Sequence, residues 1–139
     1  MTNNVIEEMG FNAGKVWETL FKHGPLSETK LKNNTMLNDT DLRAAIGWLA
    51  RENKICCNGT VYKLGETNLT SKVGTNAGRI WNTLASVKKE VDVSTIAKLA
   101  KIDVNDAYTA LGWLAREDKI NISVVPKSKE KLITVSLKQ

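Results

Sequence analysis

Apolar residues fall at Val5, Met9, Ala13, Val16, Trp17 and Leu20, and again at Leu69, Val73, Ala77, Ile80, Trp81 and Leu84. Steps of three and four are the period of one helix face. Each run therefore predicts an amphipathic helix, with Trp17 and Trp81 inside its buried stripe. Gly10 and Gly14, like Gly74 and Gly78, stand one turn apart in these runs. Either Asn12 and Asn76 cap helices that begin there, or the helices run through and the glycines admit a close neighbour. The stripe extends upstream of Asn12, which favours a continuous helix. "KHGPL" ends the first of them.

A short second helix is expected from Ser27 to Lys32 and from Val93 to Lys101, with Ser27 and Ser94 as caps or first-turn residues. A third follows over Asp39 to Asn53 and Val104 to Asp118. Its buried stripe is Leu42, Ala45, Ile46 and Leu49 in one case, and Ala107, Ala110, Leu111 and Leu114 in the other. The period then drops to two. "KICCNGTVYKL" sets Asn58-Gly59 between short β-prone runs, the signal of a type I′ hairpin. "KINISVVPKSKEKLITVSLK" is a longer hairpin with its tip near Pro126 to Lys131.

These paired elements are copies. "GFNAGKVWETL" (Gly10 to Leu20) returns as "GTNAGRIWNTL" (Gly74 to Leu84) at an offset of 64. "AIGWLARENKI" (Ala45 to Ile55) returns as "ALGWLAREDKI" (Ala110 to Ile120) at an offset of 65. One residue has been gained between the two blocks in the second copy. The chain divides into two units, 1–65 and 66–139, joined through the polar stretch "GETNLTSK". Three helices followed by a hairpin is the winged helix-turn-helix order. The fold class is mainly α with small β-hairpins (α+β), as tandem duplicated winged helix-turn-helix domains.

The "NAGxxW" and "A(I/L)GWLAREDKI" blocks resemble a family of small bacterial and archaeal winged helix-turn-helix proteins known mainly as a domain of unknown function. The resemblance spans both copies. It implies the winged-helix fold and a DNA-binding or regulatory role, and it brings no catalytic residues. Two copies in one chain depart from the usual single-domain form.

Charge adds direction to this picture. The chain carries a net +5, unevenly placed. Residues 1–65 hold 8 Lys and Arg against 7 Asp and Glu, a net +1; residues 66–139 hold 12 against 8, a net +4. The second half is the better match for a polyanion such as double-stranded DNA. In helix-turn-helix proteins the third helix enters the major groove and the wing reaches the backbone. Its face opposite Leu42 and Leu49 carries Thr40, Ala44, Gly47 and Arg51, with Arg43 to one side. The second copy offers Asn105, Thr109, Gly112 and Arg116, with Tyr108 in place of Arg43. Lys127, Lys129 and Lys131 stand at the second wing tip. Candidate DNA contacts are thus Thr40, Arg43, Arg51, Asn105, Tyr108, Thr109, Arg116, Lys127, Lys129 and Lys131. Asp39, Asp41, Asp103 and Asp106 crowd the same helix ends, where acidic side chains also stabilise a helix start.

Trp48 and Trp113 sit at the edge of the third-helix stripe, where an indole either closes the core or anchors an interface. Gly47 and Gly112 beside them cost about 1 kcal/mol each relative to Ala in a helix interior, so something is expected to approach the backbone there. Gly47, Trp48, Gly112 and Trp113 are the candidate interface residues. They suggest an internal pseudo-dimer of the two repeats, and units of this size, burying only about 60% of their unfolded surface, would gain from it.

Other chemistry is absent from the reading. Cys56 and Cys57 are adjacent and lack metal-ligand spacing, so they are read as strand thiols. His23 lies beside Gly24-Pro25, which is turn chemistry. No Gly-rich phosphate loop, metal cluster or nucleophile–base motif occurs, so no catalytic residue, metal or cofactor is expected. No apolar run is long enough to span a membrane, and "MTNNVIEEMG" has no signal-peptide pattern, so a cytoplasmic location is expected. The resulting expectation is a non-enzymatic DNA-binding transcriptional regulator. The alternative is a non-catalytic protein–protein interaction or assembly module that uses the same winged-helix faces.

Overall fold

The computed structural model describes residues 4–127 and 130–138, and for residue 4 and residues 125–127 and 130–132 the backbone alone. The first repeat runs α1 (Asn4–His23), β1 (Leu26–Ser27), α2 (Glu28–Thr35), α3 (Asp39–Arg51), β2 (Ile55–Asn58) and β3 (Val61–Leu64). The second runs α4 (Thr75–Val87), β4 (Val91–Asp92), α5 (Val93–Ala100), α6 (Val104–Arg116), β5 (Ile120–Lys127) and β6 (Glu130–Leu137). The fold is α+β. Each repeat has one antiparallel sheet, ordered β1-β3-β2 and β4-β6-β5. Each is the winged helix-turn-helix arrangement.

Local chemistry sets the element ends. Ser27 caps α2 by accepting from the Lys30 amide, and Asp92 caps α5 by accepting from the Thr95 amide and hydroxyl. Ser94, expected as a cap or first-turn residue, lies in the first turn of α5, and Asp92 is the cap. Asn38 and Asp103 cap α3 and α6 through the amides of Asp41 and Asn105. α1 is one continuous helix, so Asn12 caps nothing; α4 is entered from a π-helical turn, Thr70–Gly74.

Two cores result. Val16, Leu20, Leu31, Leu42, Leu49 and Ile55 fill the first. Ile80, Leu84, Ile96, Leu111, Leu114 and Ile120 fill the second. The first helices cross between them. Val5, Ile6 and Met9 at the start of α1 pack on the second core, and Leu69, just before α4, packs on the first. The stripe upstream of Gly10 is thus apolar because it covers the other repeat. The joining segment is tied down as well. Asn68 exchanges two hydrogen bonds with the backbone of Cys57, and the Thr67 amide donates to Asn53.

Trp17 and Trp81 correct the sequence reading. They are 38% and 40% exposed rather than in the core. Trp17 stacks on Phe21 on the outside of α1, with ring centroids 5.2 Å apart. The core faces of the two helices are filled instead by Ala13, Val16 and Leu20, and by Ala77, Ile80 and Leu84.

The gained residue can be placed. Gly24 and Lys88 are equivalent: both have positive φ, and their amides donate to Leu20 and Leu84 respectively. Ser27 and Asp92 are also equivalent, as caps. Pro25 alone separates Gly24 from β1, whereas Lys89 and Glu90 separate Lys88 from β4. The extra residue lies in that turn.

Candidate nucleic-acid interface

The two third helices lie side by side along one pseudo-twofold axis. A Cβ on Gly47 would strike the Thr109 carbonyl group, coming within 2.8 Å of its carbon; one on Gly112 would strike that of Ala44, within 2.6 Å of its carbon. Ala44 and Thr109 are equivalent, as are Gly47 and Gly112, so each helix offers the other the same surface. Any side chain at either glycine would meet backbone, which cannot swing aside. This contact explains the helix-interior glycines that intrinsic propensity disfavours.

Contacts continue in the same order toward the helix C-termini. Arg51 Nε donates to Glu117 Oε2 at 3.1 Å, and Arg116 Nε to Glu52 Oε2 at 3.0 Å. The Arg51 guanidinium lies 5.8 Å from the Trp113 ring centroid, and that of Arg116 lies 6.0 Å from Trp48. Lys54 and Lys119 flank the same carboxylates at 3.6 and 3.7 Å. Near the N-termini, burial and then the carboxylates of Asp92 and Asp41 push the Tyr108 hydroxyl above its usual pKa. Asp41 of α3 thus lies near Tyr108 of α6. The pairing runs from first turn to last, so the helices point the same way.

Trp48 and Trp113 pack against both cores. Each indole also lies over a glycine of its own repeat, Gly10 within α1 and Gly74 at the end of the π-helical turn that leads into α4. A Cβ on Gly10 would come within 3.1 Å of Trp48, and one on Gly74 within 3.3 Å of Trp113. Gly14 and Gly78 face open space. Of the glycines singled out in the sequence, Gly47 and Gly112 each meet the other repeat's third helix, and Gly10 and Gly74 seat the indoles.

The expected reading face and the candidate DNA contacts fall into four groups. Ala44 and the two glycines at the centre of the expected reading face are buried between the repeats, and Thr109 is half-buried with its carbonyl against Gly47. Arg51 and Arg116 are exposed but ion-paired across the repeats. Thr40, Arg43 and Tyr108 are half-buried, and Asn105 is exposed at the helix start. The Thr40 hydroxyl donates to Asn38. Arg43 Nη2 lies 3.1 Å from Glu28 Oε1, close enough to pair but poorly directed for a hydrogen bond, and its Nε has no hydrogen-bond partner. Lys129 lies outside the described residues, as do the side chains of Lys127 and Lys131; the backbones of the latter two pair with Glu130 and Pro126 in the second hairpin.

Titratable groups around these helices are held in place rather than poised. Lys32, hydrogen-bonded to Asp39 at 2.6 Å, keeps that carboxyl below its usual range. Burial pushes Tyr62 up to about 12 and raises the Cys57 thiol, which leaves both protonated at neutral pH. Both cysteines are free and half-buried on β2. Among the described residues, no three His, Cys, Asp or Glu side chains gather as a metal site, and no helix is long and apolar enough to cross a membrane.

No curated protein and no solved structure matches the chain. A family model, described as a winged helix-turn-helix domain (DUF2582), matches it twice, over residues 1–65 and 67–137. With its duplicated helices and wings accounted for on both stretches, the chain belongs to this winged helix-turn-helix family and carries its domain in tandem.

Proposed function

We propose that the chain is a non-catalytic DNA-binding protein of the regulatory kind, in which the units 1–65 and 66–139 act as one body and the second wing leads the contact. The winged helix-turn-helix domain supports DNA binding, and the side-by-side packing of α3 and α6 is the observation that moves the contact from these helices to the wing. A major groove about 12 Å wide admits one helix about 10–12 Å across, not a pair in backbone contact. The tips of that pair also carry Asp39, Asp41, Asp103 and Asp106, which repel phosphate. Thr40, Arg43, Asn105, Tyr108 and Thr109 then touch DNA only at the pair's edge, and Arg51 and Arg116 only by leaving their partners. The charge excess of the second half favours its wing, where Lys127, Lys129 and Lys131 alternate along the sequence. Contact of this kind is mostly with phosphate, and its sequence preference is weak.

A salt titration on random duplexes tests it. Replacing Lys127, Lys129 and Lys131 by Gln should weaken binding to all duplexes alike and reduce the salt slope by up to about 3. Unchanged affinity removes the wing from the mechanism. No binding at low salt by the unaltered protein contradicts the DNA reading.

One observation favours the second reading, a protein-interaction module. Phe21, stacked on Trp17, is 68% exposed on α1, and Phe11, on another side of the same helix, is 77% exposed. Aromatic side chains in the open are the usual anchors of protein interfaces.

A further inference from the structure

Outside the paired helices, the second repeat has a groove of about 580 Å³ between the end of α4 and the base of its wing. Leu84, Ala85 and Leu137 form its floor, and Lys88, Lys89 and Lys138 its rim. Asn121 and Ser136 add hydrogen-bonding groups, and Glu90 adds a carboxylate that accepts from the Thr134 hydroxyl. We propose that this groove binds a small organic anion, a phosphate or carboxylate carried on an apolar body.

The volume suits one small molecule, since ligand pockets run about 300–1,000 Å³ and are largely apolar with a few placed polar groups. The stronger argument is the sibling repeat. Two floor positions are the same in both copies: Leu84 matches Leu20, and Leu137 matches Leu64, each pairing with the first residue of its hairpin. Almost everything else around the groove has changed. Ala85 stands where the first repeat has Phe21, so no aromatic ring overhangs the second repeat at this position. Lys138 stands where it has Gly65; the amides of both donate to the matching Lys119 and Lys54 carbonyls. Lys88 replaces Gly24 at a positive φ that glycine adopts freely and lysine does not. The one residue gained in the second copy falls in this turn and turns Pro25 into Lys89-Glu90. A ring is lost, three lysines are added and one, Lys63, becomes Ser136, while the helix-pair blocks stay nearly identical.

Lys138 is paired with a carboxylate that a bound anion has to share or displace. Its Nζ donates to Asp118 Oδ1 at 2.6 Å, which fixes the side chain beside the groove. Lys88 and Lys89 favour the C-terminal end of α4 electrostatically, which accounts for positive charge there but not for the lost ring. An apolar floor is of no use to a phosphodiester backbone, so the site goes beyond the DNA reading and does not depend on it.

Calorimetric titration of the full chain with octyl phosphate, inorganic phosphate and octyl glucoside tests the proposal. Octyl phosphate should bind once per chain. Inorganic phosphate and the uncharged octyl glucoside should each bind at least about tenfold more weakly, because each lacks half of the recognised chemistry. Ala85→Phe and Lys138→Gly, which restore first-repeat residues, should each weaken octyl phosphate at least about tenfold with an unchanged circular dichroism spectrum. DNA affinity should be unaffected by Ala85→Phe. Vesicles of phosphatidic acid separate the sources: binding to them in addition assigns a lipid headgroup, and binding of octyl phosphate alone assigns a free ligand. Equal binding of octyl phosphate by the Ala85→Phe chain, or equal binding of octyl glucoside, overturns the proposal. So does loss of DNA affinity in Ala85→Phe without any octyl phosphate binding, which would make the groove part of the DNA surface.

Discussion

The outer face of the first repeat is aromatic, with Phe11, Trp17 and Phe21 in the open along α1. The matching positions of the second repeat are Thr75, Trp81 and Ala85, and the lysines Lys88, Lys89 and Lys138 gather beside Ala85. The first wing has strands of four residues closed by Asn58-Gly59; the second has strands of eight. Inward, the repeats agree. Gly47 and Gly112, Trp48 and Trp113, Arg51 and Arg116, Glu52 and Glu117 make the same contacts in exchange. A self-complementary contact constrains both partners at once, since a change in one copy must suit the unchanged surface of the other. The outward faces carry no such constraint. Duplication therefore fixed the pairing and left two exteriors free to take different contacts.

The inward agreement should break hardest at the glycines. Gly47→Ala and Gly112→Ala each drive a methyl into backbone, and each should lower stability by about 3 kcal/mol, the upper part of the range for overpacking. Urea midpoints should fall by matching amounts in the two variants while helical signal is retained below the transition. A large loss in one and none in the other would mean that the two sides are not equivalent.

The helix caps sharpen the comparison between repeats. Ser27→Ala and Asp92→Ala should each cost about 1 kcal/mol. Only the second should depend on pH. The Thr95 hydroxyl holds the Asp92 carboxyl below its usual range against the opposing effect of burial, and the Thr95 amide adds a lesser contribution in the same direction. A lowered folded-state pKa gives stability that is full above the unfolded value of about 3.9 and is lost as pH falls through the folded one. The cost of Asp92→Ala should shrink below about pH 4, whereas that of Ser27→Ala stays level. Chemical denaturation of both variants across the acid range measures this, and parallel curves would contradict it.

Smaller effects are expected from the exchanged ion pairs. Double-mutant cycles on Arg51–Glu117 and Arg116–Glu52 should return similar coupling energies of about 0.2–1 kcal/mol, as for other half-exposed pairs. A coupling confined to one pair would break the symmetry. Smallest of all, Phe21→Ser should change stability by no more than about 0.5 kcal/mol, because that ring is mostly in solvent. A loss of several times that size would show that Trp17 and Phe21 belong to the core after all.

Much of this architecture was legible in the chain. Repeated blocks, helical stripes and the Asn58-Gly59 turn specify two winged helices, because each is a local signal. Gly47 and Gly112 marked a close approach, because nothing else justifies glycine at mid-helix. What was not legible is which surface an apolar residue covers. Val5 and Met9 continue the period of α1, yet they serve the other repeat, and periodicity is blind to that difference. Trp17 and Trp81 have the period of core residues but sit at the edge of the stripe, where a large ring overhangs into solvent. The groove beside Lys88 was visible only as an offset that changed from 64 to 65. Its meaning depends on Ala85, Leu137 and Lys138 meeting in space.

The central claim is that α3 and α6 stay packed on each other, with or without DNA. Cross-peaks between the Gly47 α-protons and the Thr109 and Trp113 backbone, and between the Gly112 α-protons and Ala44, report that contact directly by NMR. They should be present in the free chain and keep their intensity when a duplex is added to saturation at low salt, while amide shifts concentrate in the second wing. Cross-peaks missing from the free chain, or lost as DNA binds, would contradict the account, since the helices would then be free to separate and enter a groove.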